Sequence, residues 1–500
     1  MSAEHFDVIV IGAGLSGIGA GYRLQTRCPG KRYVILEARE QIGGTWDLFR
    51  YPGVRSDSDM FTLAYPFRPW KGAKAIADGP AILNYIRETA AEFEVDDKIR
   101  YNHRVRRAEW SSVDARWTVE AEKGEEKTLV RFTCNFLYLC TGYYDYEAGY
   151  MPEWAGADRF KGTIVHPQKW PENIDYADKR VVVVGSGATA VTLVPAMAEK
   201  AAHVTMLQRS PTYVVARPSE DVIANSLRRV LPARAAYMLT RWKNVLFGMF
   251  FYSLSRKRPD TMKRLIARGV KKELGDQYDA RHFTPRYNPW DQRLCLVPDA
   301  DLFHSIKEGR VSVVTDKIDT FTETGLQLRS GDHLDADVIV TATGLTLKII
   351  AGMQLVVNGE LVDLPSKLVY KGMMFSDVPN HVFAIGYTNA SWTLKCDLTA
   401  QYVCRVLNYM DAQNYTVCTP RITDPSIQPE PVIDFNSGYV VRALETLPRQ
   451  GSRPPWRLHQ NYIKDLSMLR YGKVDDGTME FSKLPAAKYK SQDTQIVTAS

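Results

Sequence analysis

Two glycine clusters, each set between an apolar run and a helix-like segment, constrain this chain's fold more than any other feature. Phe6-Asp-Val-Ile-Val-Ile11 is a nearly continuous apolar run, the pattern of a parallel strand buried on both faces. It breaks into Gly12-Ala-Gly14-Leu-Ser-Gly17 and runs on as a helix to about Gln25. A second run, Arg32-Tyr-Val-Ile-Leu36, ends at Glu37. The same grammar restarts at Lys179: Arg180-Val-Val-Val-Val184 leads into Gly185-Ser-Gly187-Ala-Thr-Ala190, a helix, and His203-Val-Thr-Met-Leu207. Each repeat is one strand–helix–strand nucleotide unit. The expected fold is therefore α/β, with two Rossmann-like dinucleotide-binding domains.

The chemistry of the two units differs. In the first, Gly12 permits the tight turn, Gly14 lets the backbone approach a pyrophosphate, and Gly17 allows the helix to pack on the strand. The N–H groups opening the helix would then face the phosphates. Glu37, 20 residues after Gly17, is placed to accept hydrogen bonds from a ribose diol. This is an FAD pattern. In the second, Ala190 stands at the third glycine position, which the pattern tolerates, and the second strand ends in Arg209-Ser210 rather than an acid. A cation there suits the 2′-phosphate of NADPH, which an acid would repel.

Around these units the chain divides as follows: 1–145, first part of the FAD domain; 146–218, first part of the NADPH domain; 219–290, a helical insert; 291–372, second part of the NADPH domain; 373–500, the return to the FAD domain with C-terminal loops. Strand signals at Val311-Ser-Val-Val314 and Ala336-Asp-Val-Ile-Val-Thr341 support the second domain. Pro379-Asn-His-Val-Phe-Ala-Ile-Gly386 is expected to rejoin the first. The last fifteen or so residues read as a mobile terminus.

Charge is uneven. Residues 220–280 hold 13 Lys+Arg against 6 Asp+Glu, a surplus of 7 that equals the net charge of the whole chain. No nucleic-acid module accompanies it, so the surplus reads as a basic surface. Inside it lies Val245-Leu-Phe-Gly-Met-Phe-Phe-Tyr-Ser-Leu254, too short to cross a bilayer core that needs roughly 20 helical residues. A buried helix is the expected reading, with peripheral membrane contact as the lesser alternative. Seven scattered cysteines, never spaced C-x-x-C, argue for a reduced compartment and against disulfides, a zinc site or a redox dithiol. No secretory signal precedes the first strand, so a cytoplasmic location is expected.

Other motifs carry a family resemblance. Phe160-x-Gly162-x-x-x-His166-x-x-x-Trp170-Pro171, just ahead of the second glycine cluster, resembles in full the fingerprint of type I Baeyer–Villiger monooxygenases. A second signature of that family is also complete: Gly43-Gly44-x-Trp46, Tyr51-Pro52-Gly53 and Asp57. Residues 291–298 (Asp-Gln-Arg-Leu-Cys-Leu-Val-Pro) and 386–392 (Gly-Tyr-Thr-Asn-Ala-Ser-Trp) are most similar to the bacterial ethionamide-activating branch.

The resemblance implies an FAD- and NADPH-dependent monooxygenase that inserts one oxygen atom from O2 into ketones by way of a flavin peroxide, giving esters or lactones. S-oxygenation of thioethers or thioamides would be a second activity. It makes Arg293 the catalytic cation, whose permanent charge would stabilise the developing oxyanion, and Asp57 its orienting partner beside the nicotinamide. It adds Ser16, Gly44, Thr45, Trp46, Asp47, Arg55, Ser56 and Val105 to the cofactor-binding set, together with Ala188 and Thr189. His166 is expected to hold the interdomain linker, and Trp456 to be an ordinary packed tryptophan. One departure stands out: several relatives carry lysine immediately before the catalytic arginine, where this chain has Gln292. NADPH preference then leans on Arg209 and Ser210. Two alternatives stay open at this point: a flavin monooxygenase confined to N- or S-oxygenation, and a non-oxygenating NADPH-dependent flavin reductase. The substrate and the oligomeric state are not legible.

Overall fold

The computed structural model describes residues 3–433 and 435–483. The terminal stretch for which mobility is expected lies outside the described residues. Strands β1 (Glu4–Ile11) and β2 (Tyr33–Leu36) flank helix α1 (Leu15–Arg27) and pair in parallel. They belong to a nine-stranded sheet completed by β3 (Ile99–Arg100), β4 (His103–Ser111), β5 (Arg116–Lys123) and β6 (Thr128–Leu139), and by strands that return later in the chain. β1 sits between β6 and β2 with Val8, Ile9 and Val10 fully buried. Burial on both faces is why the run is continuous rather than alternating.

The second sheet is five-stranded and parallel throughout. It uses β7 (Thr163–Val165), β8 (Arg180–Val184), β9 (His203–Gln208), β10 (Val311–Thr315) and β11 (Val338–Val340), in the order β10-β9-β8-β11-β7. Helix α2 (Ala188–Met197) leaves the glycine turn after β8 and buries Val191, Leu193 and Val194 against it. Between β9 and β10 the chain runs through α3 (Val222–Val230), α4 (Ala233–Lys257) and α5 (Pro259–Leu274).

The chain is back in the first sheet earlier than the sequence boundary at 373. β12 (Gln354–Val357) pairs in parallel with β4, and β13 (Glu360–Leu361) extends it as a hairpin. β14 (His381–Phe383) then joins β6. Helix α6 (Trp392–Gln413) packs along α1, where the largely buried Arg23–Asp397 pair at 2.7 Å locks the two together. A short helix α7 (Gly438–Ala443) follows in the C-terminal loops.

One sequence expectation is overturned. The apolar run 245–254 is not a buried helix. It forms the second half of α4, where Val245 is buried but Leu246, Phe247 and Phe250 are 51%, 46% and 61% exposed. The opposite face of α4 is pinned instead. Arg241 is buried and donates to the carbonyls of Phe61 and Ala64 at 2.8 and 2.9 Å, at the C-terminal end of the one-turn helix Met60–Leu63. The partial negative charge there satisfies the guanidinium without a carboxylate.

Candidate active site

Strand ends of the first sheet and the start of α2 open on one cavity of about 520 Å3. The Gly12 turn has φ +102°, and a Cβ there would sit 2.6 Å from the Cys140 carbonyl oxygen, so only glycine closes it. Helices α1 and α2 both start on a glycine with no side-chain cap, at Gly14 and Gly187. Elsewhere Asp78 and Asp221 cap their helices in the ordinary way. A Cβ on Gly187 would meet nothing within 4 Å. Two glycine-started, uncapped N-termini, Gly14 lying against the Gly44 backbone and Gly187 open, suit pyrophosphate binding, so the residues present fit two dinucleotides.

Glu37 is 5% exposed and lines the cavity at the end of β2. Its carboxylate accepts from the amides of Ala13 at 2.7 Å and Arg39 at 2.9 Å. Burial pushes its pKa up, and those two amides oppose the shift. The acid is thus tied to the glycine turn and still faces the space where a ribose would lie.

Arg293 and Asp57, 236 positions apart, meet across the cavity with Nη1 to Oδ2 at 3.4 Å. The charge of Asp57 drives the Arg293 pKa well above its usual value, against the opposing effect of burial. About a third of each side chain remains open (33% and 38%), and that surface faces the cavity. The segment before Arg293 is braced: Trp290 adopts φ +71°, Asp291 accepts from the Asn288 amide at 3.0 Å, and Arg256 at the end of α4 pairs with Asp291 at 2.8 Å. The insert therefore helps to aim the cavity's cation.

Of the remaining sequence candidates, Ser16, Gly44, Thr45, Trp46, Arg55, Ser56, Val105, Ala188 and Thr189 also line this cavity. Arg55 is held by Asp301, and Ser56 folds back on Ser58, accepting from its amide at 3.0 Å and donating to its carbonyl at 2.7 Å. Others lie off the wall. Gly17 packs α1 on the turn, since a Cβ there would fall 1.9 Å from the Gly12 carbonyl oxygen. Gly185 plays a similar part against Ala342, and Ala190 is buried in α2. Asp47 is 2% exposed and ringed by Arg39, Arg50 and Arg87, a charge cluster beneath the site rather than a wall of it. Arg209 and Ser210 are exposed at the end of β9, where the Ser210 carbonyl accepts from Ser186 at 3.3 Å. His166 lies outside the lining. It bonds the Gly344 carbonyl at 3.2 Å, joining the end of β7 to the segment after β11. Trp456 is packed in the core against Tyr370.

Two features escaped the sequence reading. The first is an aromatic wall. Tyr143 stacks on Trp392 at 4.7 Å, Trp392 donates to the Ser16 hydroxyl at 2.9 Å, and the Tyr143 and Tyr144 hydroxyls are 2.6 Å apart. Trp392 closes the 386–392 motif, and the two tyrosines follow Thr141-Gly142, so the signal was present without a stated role. The second is Arg442 on α7. Its guanidinium stacks 3.4 Å above the Tyr150 ring, and burial, then the neighbouring Arg209 charge, hold its pKa below the ordinary arginine value. Among the described residues neither arginine has a carboxylate partner. Two cations beside each other at the end of β9 favour a bound anion.

Two glycine-turn units, the first lining a cavity that the start of α2 in the second also reaches, with the Arg293 guanidinium on its wall, define a protein built for two dinucleotides. The chain belongs to the flavin-binding monooxygenase-like family, which matches residues 74–408; an NAD(P)-binding Rossmann-like domain matches 10–76. It is a flavin-dependent monooxygenase. The chain is 53% identical over 485 residues to the FAD-containing monooxygenase EthA of Mycobacterium tuberculosis, covering 97% of this chain and 99% of that protein. It is also 53% identical to EthA of Mycolicibacterium smegmatis over 487 residues, covering 97% and 98%. In fold it resembles the solved structure of cyclohexanone monooxygenase (TM-score 0.76, 18% identity, 96% and 100% coverage) and an oxidised steroid monooxygenase bound to NADP (0.73, 21%, 96% and 100%).

Proposed function

We propose that this monooxygenase binds FAD at the Gly12–Glu37 unit and NADPH at the Gly185–Arg209 unit. With them it converts a ketone, O2, NADPH and a proton into an ester or lactone, water and NADP+. Soft sulfur in thioethers or thioamides is a second substrate class. The observation that carries this reading is the Arg293–Asp57 pair on the wall of the cavity that the first unit and the start of α2 line.

When bound, FAD would supply the chemistry that activates O2 with electrons from NADPH. The chain's own residues supply binding, orientation and charge. The uncapped starts of α1 and α2 hold the pyrophosphates, Glu37 the flavin-side ribose, and Arg209 with Arg442 the 2′-phosphate. This last assignment fits the absence of a lysine at 292, since a second cation arrives from the C-terminal loops. Arg293 keeps its proton through the whole pH range, so it acts as fixed positive charge toward the oxygen of the attacked carbonyl. Asp57 orients that guanidinium and takes no proton in the reaction. Tyr143 and Trp392 form an apolar wall beside it that limits water, which protects the activated oxygen from being shed as hydrogen peroxide.

The test is to load the enzyme with FAD, supply NADPH, 18O2 and a simple ketone, and weigh the product. An ester carrying one 18O supports the proposal. NADPH consumption that yields only hydrogen peroxide overturns it in favour of a reductase, and S-oxide without ester limits the enzyme to heteroatom oxygenation.

A further inference from the structure

The insert presents an apolar surface set in positive charge. Eight of the sixteen exposed large apolar side chains among the described residues fall between 219 and 290. They are ordered. On α3, Ile223 and Val230 are seven residues apart, and on α4, Leu239, Leu246 and Phe250 follow at seven and four, so each helix carries a single exposed apolar stripe. Phe247 widens the α4 stripe, with the Arg217 guanidinium 5.4 Å from its ring centroid. The two helices pack on each other.

The α4 stripe cannot turn inward. Its opposite face is fixed by the buried Arg241 and by the Tyr237 hydroxyl, which donates to the Tyr65 carbonyl at 3.0 Å. Around the stripes stand exposed Arg229, Arg234, Lys257 and Arg258, within the 220–280 segment whose surplus of 7 positive charges equals that of the whole chain.

We propose that the exposed faces of α3 and α4 dock peripherally on an anionic phospholipid surface. The apolar stripes would enter the headgroup boundary while the arginines and lysines meet lipid phosphates. Among the described residues no helix is long and apolar enough to cross a membrane, so the contact is lateral. Charge also argues against a second copy of this chain as the occupant, because that would press two basic segments together.

The full-length, FAD-loaded enzyme is incubated with sucrose-loaded vesicles of phosphatidylcholine alone or with about 30% phosphatidylglycerol, and sedimented. Binding is expected with the anionic vesicles only and should fall as salt rises. Leu246→Gln/Phe250→Gln should weaken it about tenfold or more while leaving NADPH oxidation with a water-soluble sulfide unchanged. Arg229→Glu/Arg234→Glu should weaken it without touching the stripes, which keeps the test informative if the first variant misfolds. Failure to bind anionic vesicles overturns the proposal, as does equal binding by both variants. So does light scattering that shows a dimer which the first variant dissolves.

Discussion

If Asp57 acts only by aiming Arg293, then its removal must cost nothing once Arg293 is gone. Two unit charges at the observed 3.4 Å interact by ~5 kcal/mol at an effective dielectric near 20, and by ~1 kcal/mol in bulk water. Both side chains are about one-third open to the cavity, at 33% and 38%, so the lower end applies, ~1–2 kcal/mol. Asp57→Ala is therefore expected to slow ester formation about tenfold, equivalent to ~1.4 kcal/mol of barrier. Arg293→Ala removes the charge that faces the oxyanion, and comparable deletions cost about 10²–10³ in kcat, ~3–4 kcal/mol. The double variant should match Arg293→Ala to within about twofold, giving a coupling energy near the full Asp57 effect. The assay is ester formation under saturating NADPH, paired with anaerobic flavin reduction, which Arg293→Ala should leave intact. If Asp57→Ala cost the same tenfold in both backgrounds, Asp57 would have a role of its own. If Arg293→Ala kept near-native ester formation, the assignment of the cation would fail.

Arg209→Ala should raise KM for NADPH about 10–100-fold through loss of a charge-assisted contact worth ~1.5–3 kcal/mol, with Arg442→Ala following in the same direction. NADH kinetics should barely move, and equal losses with both cofactors would remove the 2′-phosphate from the account. Gln292→Lys should sharpen the preference for NADPH over NADH, read as a ratio of kcat/KM values. Gly12→Ala should purify without flavin, because its Cβ would meet the Cys140 carbonyl at 2.6 Å with φ at +102°. The absorbance of bound flavin per protein decides the point. His381, fully buried, accepts from the Phe375 amide at 2.8 Å and donates to the Val378 carbonyl, and burial lowers its pKa from 6.5 to about 3. Between those values the unfolded chain takes up a proton that the folded one refuses. Stability is then intact above pH 6.5 and falls as the solution is acidified, by ~2 kcal/mol at pH 5. The thermal midpoint of His381→Asn should be less steep in pH over that window.

The nucleotide units were legible because the pattern that marks each of them lies within some thirty residues of chain. A strand buried on both faces must be continuously apolar, a turn that brings backbone against Cys140 must be glycine, and the acid that answers it ends the next strand. Local rules suffice when the marking pattern is local, even where a contact such as Gly12 against Cys140 is not. The Arg293–Asp57 pair obeys no such rule. Nothing in the spacing of residues 236 positions apart predicts a 3.4 Å contact, and only the family resemblance joined them. Asp47 shows the opposite failure. Its place beside Trp46 in the motif suggested the cavity wall, but the carboxylate is buried off that wall, where it pairs with Arg39, Arg50 and Arg87.

Arg442 and the α4 stripe were missed for a common reason. An element's pattern states what its surface offers, and only its neighbours decide what that surface meets. Arg442 sits in a six-residue helix near the end of the described chain, and it becomes a candidate phosphate ligand because α7 returns to the end of β9. Residues 245–254 read as buried because an apolar run with little polar interruption usually is. In the fold, Tyr237 and Arg241 claim the inward face of α4, and their hydrogen bonds to the backbone at 61–65 leave the later apolar side chains no interior to enter. Those same contacts tie the insert to the first domain, while Arg256 ties it to the loop that carries Arg293. A docking event on the outer face of α4 would thus load a helix whose inner face bonds the 61–65 backbone and whose C-terminal end pairs with Asp291, two positions before Arg293. Vesicle binding should therefore alter the rate of ester formation in the native enzyme, and Arg256→Ala should weaken that response without weakening the binding itself. An Arg256→Ala enzyme that responds to vesicles as the native one does would separate the membrane surface from the chemistry.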